Sequence, residues 1–193
     1  MELLYIHGFI SSPQSFKAQQ TSAYLKGLSP AIRCTVPQLP PTPAASLALL
    51  ERTLQAALER SERVGLVGSS MGGFFATVLA ERHDLRAVLV NPAVAPQRLL
   101  GNFEGAHLNP YTGERFVVDA SYRHQLEAML PASITPERYW VLLQSGDETL
   151  DYREAQSYYR ACRMTLEPGG DHSFVGFERH LPAIVKFLEL VEE

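Results

Sequence analysis

The sequence predicts an α/β fold, a three-layer sandwich in which helices cover both faces of a mostly parallel sheet of six strands. Three observations lead there. Short apolar runs alternate with longer segments of helical apolar spacing along nearly the whole chain. The intervals between successive runs are long enough for the crossovers that parallel neighbours require. At 193 residues, 46% of them hydrophobic and 20% charged, the chain has the size and composition of one ordinary domain and can bury a full core without disulfides or metals.

Residues 3–7 form the first apolar run, stopped by Gly8, and residues 16–28 follow with helical spacing. Ile32, Thr35 and Val36 make 32–36 a β-branched second strand that ends at Pro37, after which Gln38-Leu39-Pro40-Pro41-Thr42-Pro43 forms a rigid connection. Residues 44–60 are rich in Ala, Leu, Glu and Arg, the strong helix formers, and 64–67 return to a buried strand. Phe74, Phe75, Val78 and Leu79 recur at helical intervals over 71–81, and 87–90 form a fourth strand ending at Asn91-Pro92. From 93 to 138 the pattern loosens to a turn at Asn109-Pro110-Tyr111-Thr112-Gly113 and one helix over 121–130. This stretch reads as a small helical insertion, a lid or cap over the sheet. Residues 139–143 restore a strand, 153–160 a helix, 163–166 the last strand and 181–191 an amphipathic terminal helix. No repeat or linker divides the chain, so 1–193 reads as one domain. The first strand is expected beside the third with the second outside it, giving the order 2-1-3-4-5-6 with right-handed crossovers.

Composition excludes some functions. Seventeen basic against 21 acidic residues give a net charge of -4, and no Lys/Arg-rich run exists to track a phosphate backbone, so nucleic acid is not an expected partner. The first residues lack the features of a signal peptide, and no apolar run reaches the length of a membrane span. The expectation is a soluble cytoplasmic protein without membrane insertion. Cys34 and Cys162 have no CxxC spacing and no neighbouring ligand cluster, and they read as reduced, strand-borne thiols with no metal site.

Gly68-Ser69-Ser70-Met71-Gly72 lies between a strand and a helix, where the G-x-S-x-G pattern carries chemistry. Small residues permit a strained turn that lifts the Ser70 hydroxyl clear of the backbone at the carboxyl end of the sheet. A serine hydroxyl is a poor nucleophile until a base takes its proton. Of the six histidines, His172 is best placed, in the Gly169-Gly170-Asp171-His172-Ser173-Phe174 loop that follows the last strand. His83, His124 and His180 fall on helices or their ends, and His107 lies in the insertion, where it is a candidate to line a pocket. The base needs an acid to fix its tautomer, in the chain order Ser, Asp or Glu, His. Asp147 is nearest the end of the fifth strand; Glu148 and Asp151 are too close in sequence for position alone to exclude them. Attack creates an oxyanion, for which the backbone N–H groups of Phe9 and Met71 are the natural donors. His7, beside them at the substrate edge, reads as structural rather than catalytic. Leu99, Leu100, Phe103, Tyr111 and Phe116 are candidates either for an apolar substrate wall or for packing the insertion on the sheet.

With His7-Gly8-Phe9, Gly68-Ser69-Ser70-Met71-Gly72, Ser145-Gly146-Asp147 and Gly170-Asp171-His172-Ser173-Phe174 in order, the chain resembles an α/β-hydrolase. Ser11-Ser12-Pro13, Asn91-Pro92-Ala93, Asn109-Pro110-Tyr111-Thr112-Gly113 and Leu150-Asp151-Tyr152 narrow the resemblance to the small bacterial YqiA-like esterases, over nearly the whole length. The resemblance implies cofactor-independent hydrolysis of carboxylic esters, with acyl-CoA thioesters as a further substrate class, and matches Ser70, Asp147 and His172 to the family's triad. It also implies a sheet lacking the two leading strands of larger superfamily members. That leaves an open edge, and with it homo-oligomerisation as an open expectation. The alternative from another class is a hydrolase-fold protein that binds a ligand or partner without catalysis.

Overall fold

On the first strand, Leu3 and Tyr5 pack into one apolar cluster while Leu4 and Ile6 pack into another, and all four are buried. A strand covered on both faces demands this, because successive side chains point to opposite sides. The computed structural model describes residues 1–191; the last two residues of the expected 1–193 domain lie outside the described residues.

The strands β1 (Glu2–Ile6), β2 (Arg33–Thr35), β3 (Val64–Ser69) and β4 (Ala87–Val90) alternate with the helices α1 (Phe16–Leu28), α2 (Pro43–Arg60) and α3 (Met71–His83). The segment after β4 contains β5 (Gly105–Leu108), β6 (Arg115–Val118) and α4 (Ala120–Met129). Then come β7 (Tyr139–Gln144), α5 (Tyr152–Tyr158), β8 (Arg163–Glu167) and α6 (Leu181–Phe187). The main sheet has six strands in the order β2-β1-β3-β4-β7-β8, and every pairing in it is parallel. With β7 and β8 as fifth and sixth, this is the order expected from the sequence.

Two apolar layers hold the sandwich. On one face Leu4, Leu66, Leu89 and Val141 meet Leu50 and Leu54 of α2, Phe74 and Phe75 of α3 and Tyr122 and Leu126 of α4. On the other, Leu3, Val67, Val88 and Trp140 meet Ala18 and Leu25 of α1 and Ile184 and Val185 of α6. Each fully buried leucine or phenylalanine among these contributes on the order of 1.5–3 kcal/mol of transfer free energy.

Three expectations need correction. The insertion is not simply helical: β5 and β6 pair antiparallel, with Gly105 opposite Val118, as a separate two-stranded sheet. Their short segments show no alternation long enough to announce strands, and the ring of Phe116 packs on Phe9. The terminal helix stops at Phe187 rather than running through 191, and Glu189 is left-handed (φ 55°). Cys162 sits just before β8 rather than in it, and both cysteines are free thiols. Burial pushes the Cys162 thiol up to about 11.

Candidate active site

Strand β3 runs into α3 through Ser70, whose backbone (φ 57°, ψ -122°) lies in a region L-residues rarely adopt. The glycines around it make this turn sterically feasible. A Cβ on Gly68 would collide with the Gly72 carbonyl, and one on Gly72 would collide with the carbonyls of Ile6 and His7. The motif therefore does two things: it permits the strained turn and lets the first turn of α3 close against the end of β1. Gly8 lies in turn against the serine, since a Cβ there would sit 3.3 Å from Ser70 Cβ and 3.7 Å from Oγ.

The Ser70 hydroxyl lies 3.0 Å from His172 Nε2. On the other side of the ring, Nδ1–H donates to Asp147, at 2.9 Å from Oδ1 and 2.8 Å from Oδ2. Asp147 also accepts from the backbone N–H groups of Thr149 (2.9 Å) and Leu150 (2.8 Å), and its side chain is 1% exposed. Burial by itself would raise the carboxyl's pKa. The bonds from His172, Leu150 and Thr149 outweigh that and hold it below the ordinary value. The other acids left open by the sequence are used elsewhere. Glu148 accepts from the His172 backbone N–H at 3.0 Å, and Asp151 caps α5 through the N–H of Arg153.

His7 is 3% exposed and both its ring nitrogens are occupied. Nδ1–H donates to Gly8 O (2.9 Å) and Nε2 accepts from Leu39 N–H (3.2 Å). Burial lowers its pKa, so the ring is a neutral strut tying the loop after β1 to the proline-rich connection before α2. The N–H groups of Phe9 and Met71 take no protein acceptor among the described residues.

From Ser70 a cavity of about 90 Å³ opens between α2, α4 and the insertion. Four of the five candidate wall residues, Leu99, Leu100, Phe103 and Phe116, line it. The fifth, Tyr111, does not: it occupies the tip of the β5–β6 turn, where it is 57% exposed, and its place in the substrate wall is withdrawn. His107 is likewise outside this lining; it stacks on Phe116 at 5.6 Å, and its Nε2 contacts Phe103 O. The ring of Phe9 is held edge-on by Phe103 and Phe116, each at 5.8 Å. The insertion thus supports the same loop that carries the Phe9 amide.

Sequence reasoning missed three parts of this site. Leu39, Pro40, Pro41 and Pro43 form a cavity wall, although they read in sequence only as a rigid connection. Lys17 donates to Ser173 O at 2.7 Å; burial pushes its ammonium down to about 8, against the opposing pull of Asp171 and Asp147. Asn91 and Gln144, both buried at strand ends, bond to the loop that carries His172. The only sequence signal for the last pair is two polar residues closing apolar runs. Among the described residues, no group of three or more His, Cys, Asp or Glu side chains gathers where it could hold a metal.

Residues 2–189 match the model of an uncharacterised protein family, UPF0227, the YqiA-like group. The chain belongs to this family. Among solved structures it is similar to Est1E from Butyrivibrio proteoclasticus with ferulic acid bound, at a TM-score of 0.75 and 14% identity over 98% of this chain and 88% of that one. It is also similar to α/β hydrolase domain-containing protein 10 from mouse, at a TM-score of 0.71 and 16% identity over 99% and 90% of the two chains. The esterase Pf2001 from Pyrococcus furiosus aligns at a TM-score of 0.61 and 14% identity, over 98% and 80%. At such identities the likeness establishes the α/β-hydrolase fold, which this UPF0227 member adopts with its six parallel strands. No helix among the described residues is long and apolar enough to cross a membrane.

Proposed function

We propose that this UPF0227 member is a serine hydrolase that cleaves carboxylic esters bearing a short, uncharged acyl group, with Ser70 as nucleophile, His172 as base and Asp147 as the acid that orients it. One observation carries the reading. The Ser70 hydroxyl, the His172 ring and the Asp147 carboxylate form a continuous hydrogen-bonded line, 3.0 and 2.8 Å at its two links, on a strained strand-to-helix turn.

In the first step Ser70 Oγ attacks the ester carbonyl while its proton passes to His172 Nε2. The imidazolium so formed is stabilised by Asp147, and the carbonyl oxygen, now an anion, is received by the Phe9 and Met71 amides. Donors placed this way in other serine hydrolases contribute about 10²–10³ in rate. The intermediate collapses, the ester C–O bond breaks, and His172 returns the proton to the departing alcohol. Water then attacks the acyl-Ser70 ester by the same route, releasing the acid and restoring the hydroxyl. Segment 93–138 acts in this reading as the cap, since its Leu99, Leu100, Phe103 and Phe116 supply apolar cavity wall. At about 90 Å³ the cavity is smaller than the roughly 150 Å³ void that accepts benzene elsewhere, which favours a short acyl chain. Glu114 is the sole charged side chain among the lining residues, which favours an uncharged acyl group.

Incubation with a fluorophosphonate and peptide mapping by mass spectrometry tests the relay. Labelling is expected at Ser70 alone. Substitution Ser70→Ala or His172→Ala is expected to abolish it and to lower turnover of p-nitrophenyl butyrate by at least about 10⁴-fold. A panel adding the palmitate ester, a butyryl thioester and a butyryl anilide reads the substrate class. Butyrate ester turnover should exceed the others; faster cleavage of anilide or palmitate would overturn the short-chain esterase assignment, and an unlabelled folded protein would overturn hydrolysis altogether.

A further inference from the structure

His172 sits on a loop that has every reason to be loose. Gly169, Gly170 and Gly176 are all left-handed (φ 71°, 72° and 76°), as is Phe174 (φ 64°). Glycines in such a stretch leave the chain with the greatest freedom to lose on ordering. Catalysis by a base on this loop requires that something outside it fix the ring to within a fraction of an ångström.

We propose that Asn91 is a positioning residue for His172, its buried amide tying the loop that carries the base to the carboxyl ends of β4 and β7. The inference rests on the Ser70, His172 and Asp147 reading above. Asn91 immediately follows β4, is 2% exposed, and its backbone N–H donates to Leu142 O at 2.9 Å, so its Cα is anchored to the neighbouring strand. Its side-chain Oδ1 accepts from Gln144 N–H at 3.0 Å. Its Nδ2 donates to Asp171 O at 3.1 Å and to His172 O at 3.2 Å. One side chain thus uses its acceptor on the sheet and its donors on the two carbonyls flanking the base.

The residue type follows from these demands. The backbone is left-handed (φ 41°), which asparagine tolerates better than most L-residues. An aspartate would fit the space and keep the bond to Gln144, but would turn an oxygen toward two carbonyl oxygens. A leucine would leave both carbonyls without this partner and strand the Gln144 N–H, which is buried, where an unpaired group is costly. Gln144 reinforces the tie from β7, accepting from Asp171 N (3.2 Å) and Val175 N (2.9 Å) and donating to Val175 O (2.8 Å). The loop packs so closely there that a Cβ on Gly170 would run into the Gln144 amide. The loop is also held by Gly146 N–H to Gly169 O, by Gly169 N–H to Ser145 Oγ and by Lys17 to Ser173 O, none of which touches His172, and by the His172 N–H to Glu148, a water-exposed contact. Among these ties Asn91 combines complete burial with direct contact to His172.

The test uses Asn91→Gly, which keeps the left-handed backbone, and Asn91→Asp, which keeps the shape. Active-site titration with the fluorophosphonate is expected to show full labelling stoichiometry in both variants, with a rate constant lower by about 10²-fold. For p-nitrophenyl butyrate, kcat should fall in parallel while KM changes little. A purely architectural role predicts the reverse, a reduced labelled fraction with an unchanged rate constant per labelled site, and that result, or failure of both variants to fold, overturns the proposal. Nitrogen-15 spectra of the His172 ring give a readout independent of hydrolysis. The wild type should show a single Nδ1–H tautomer with a slowly exchanging proton, and both variants should lose it. If the wild type neither labels nor turns over ester but the variants lose this signature, the hydrolase reading fails and the positioning role stands; an unchanged signature overturns the positioning role itself.

Discussion

Asp147 is where the energetics of the fold and the proposed chemistry act on the same atoms. Its carboxyl is held below the 3.8 of an ordinary aspartate, because bonds from His172, Leu150 and Thr149 outweigh the opposing effect of burial. A depressed acid stabilises the fold fully above its unfolded value, and that contribution is lost as pH falls through the folded one. Asp147→Asn should therefore lower the melting temperature at neutral pH and flatten its decline below about pH 4. It should also cut kcat by about 10⁴-fold, since an amide N–H facing Nδ1 favours the wrong imidazole tautomer. Melting curves from pH 3 to 7 with kcat at pH 7 check both; an unchanged acid slope would mean that another carboxylate titrates there. The same scale shows what single residues disclose in advance. Ser70 and its flanking glycines are legible in sequence because their type and spacing have few other uses. Asn91 and Gln144 are not, because a buried amide is informative only through its partners, and those in the His172 loop lie 27 to 81 residues away along the chain.

The four central strands, β1, β3, β4 and β7, were legible because each is a run of buried residues covered on both faces, while the edge strands β2 and β8, only partly buried, were legible from their place in the alternation of short strands with helix-length intervals. The hairpin of β5 and β6 was not, because its strands are stabilised by contacts made only after folding, notably Phe116 and His107 against Phe9. The proline-rich connection illustrates the same limit, since rigidity can be read locally but the cavity it lines cannot. Leu99 isolates the cavity's role from that of the core. It is half-buried on the lining, whereas Leu100 is 5% exposed and packs in the core below, so truncating Leu99 opens space at modest cost to stability. Leu99→Ala should move the acyl preference from butyrate toward longer esters, with kcat/KM for octanoate rising several-fold, about 1 kcal/mol per added methylene accommodated. Steady-state rates on an ester series check this, and an unchanged chain-length profile would exclude Leu99 from the acyl wall.

At the level of the whole molecule, the sheet reverses its winding between β1 and β3, and the loop bearing Phe9 and the turn bearing Ser70 leave those adjacent strands at that switch point. Segment 93–138, proposed above as the cap, has parts of unequal architectural weight. Strands β4 and β7 are parallel neighbours, with Ala87 opposite Tyr139, so the chain must travel back along the sheet between them. Helix α4 lies on that return path, burying Tyr122, Leu126 and Met129 in the core, and the sheet cannot dispense with it. The hairpin has no such duty: it forms its own two-stranded sheet, with Leu108 and Val117 exposed at 49% and 59%. Replacing residues 104–117 with a short Gly/Ser linker should therefore leave the fold intact, with a destabilisation of only about 1–3 kcal/mol from loss of the Phe116 and His107 contacts. Ser70 should still label with the fluorophosphonate, more slowly because the ring of Phe9 loses its support. Discrimination between butyrate and palmitate should collapse. Denaturant melts, labelling rates and the ester panel on this one variant separate the alternatives: retained discrimination would place acyl selection in α2 and α4 alone, and global unfolding would make the hairpin part of the core.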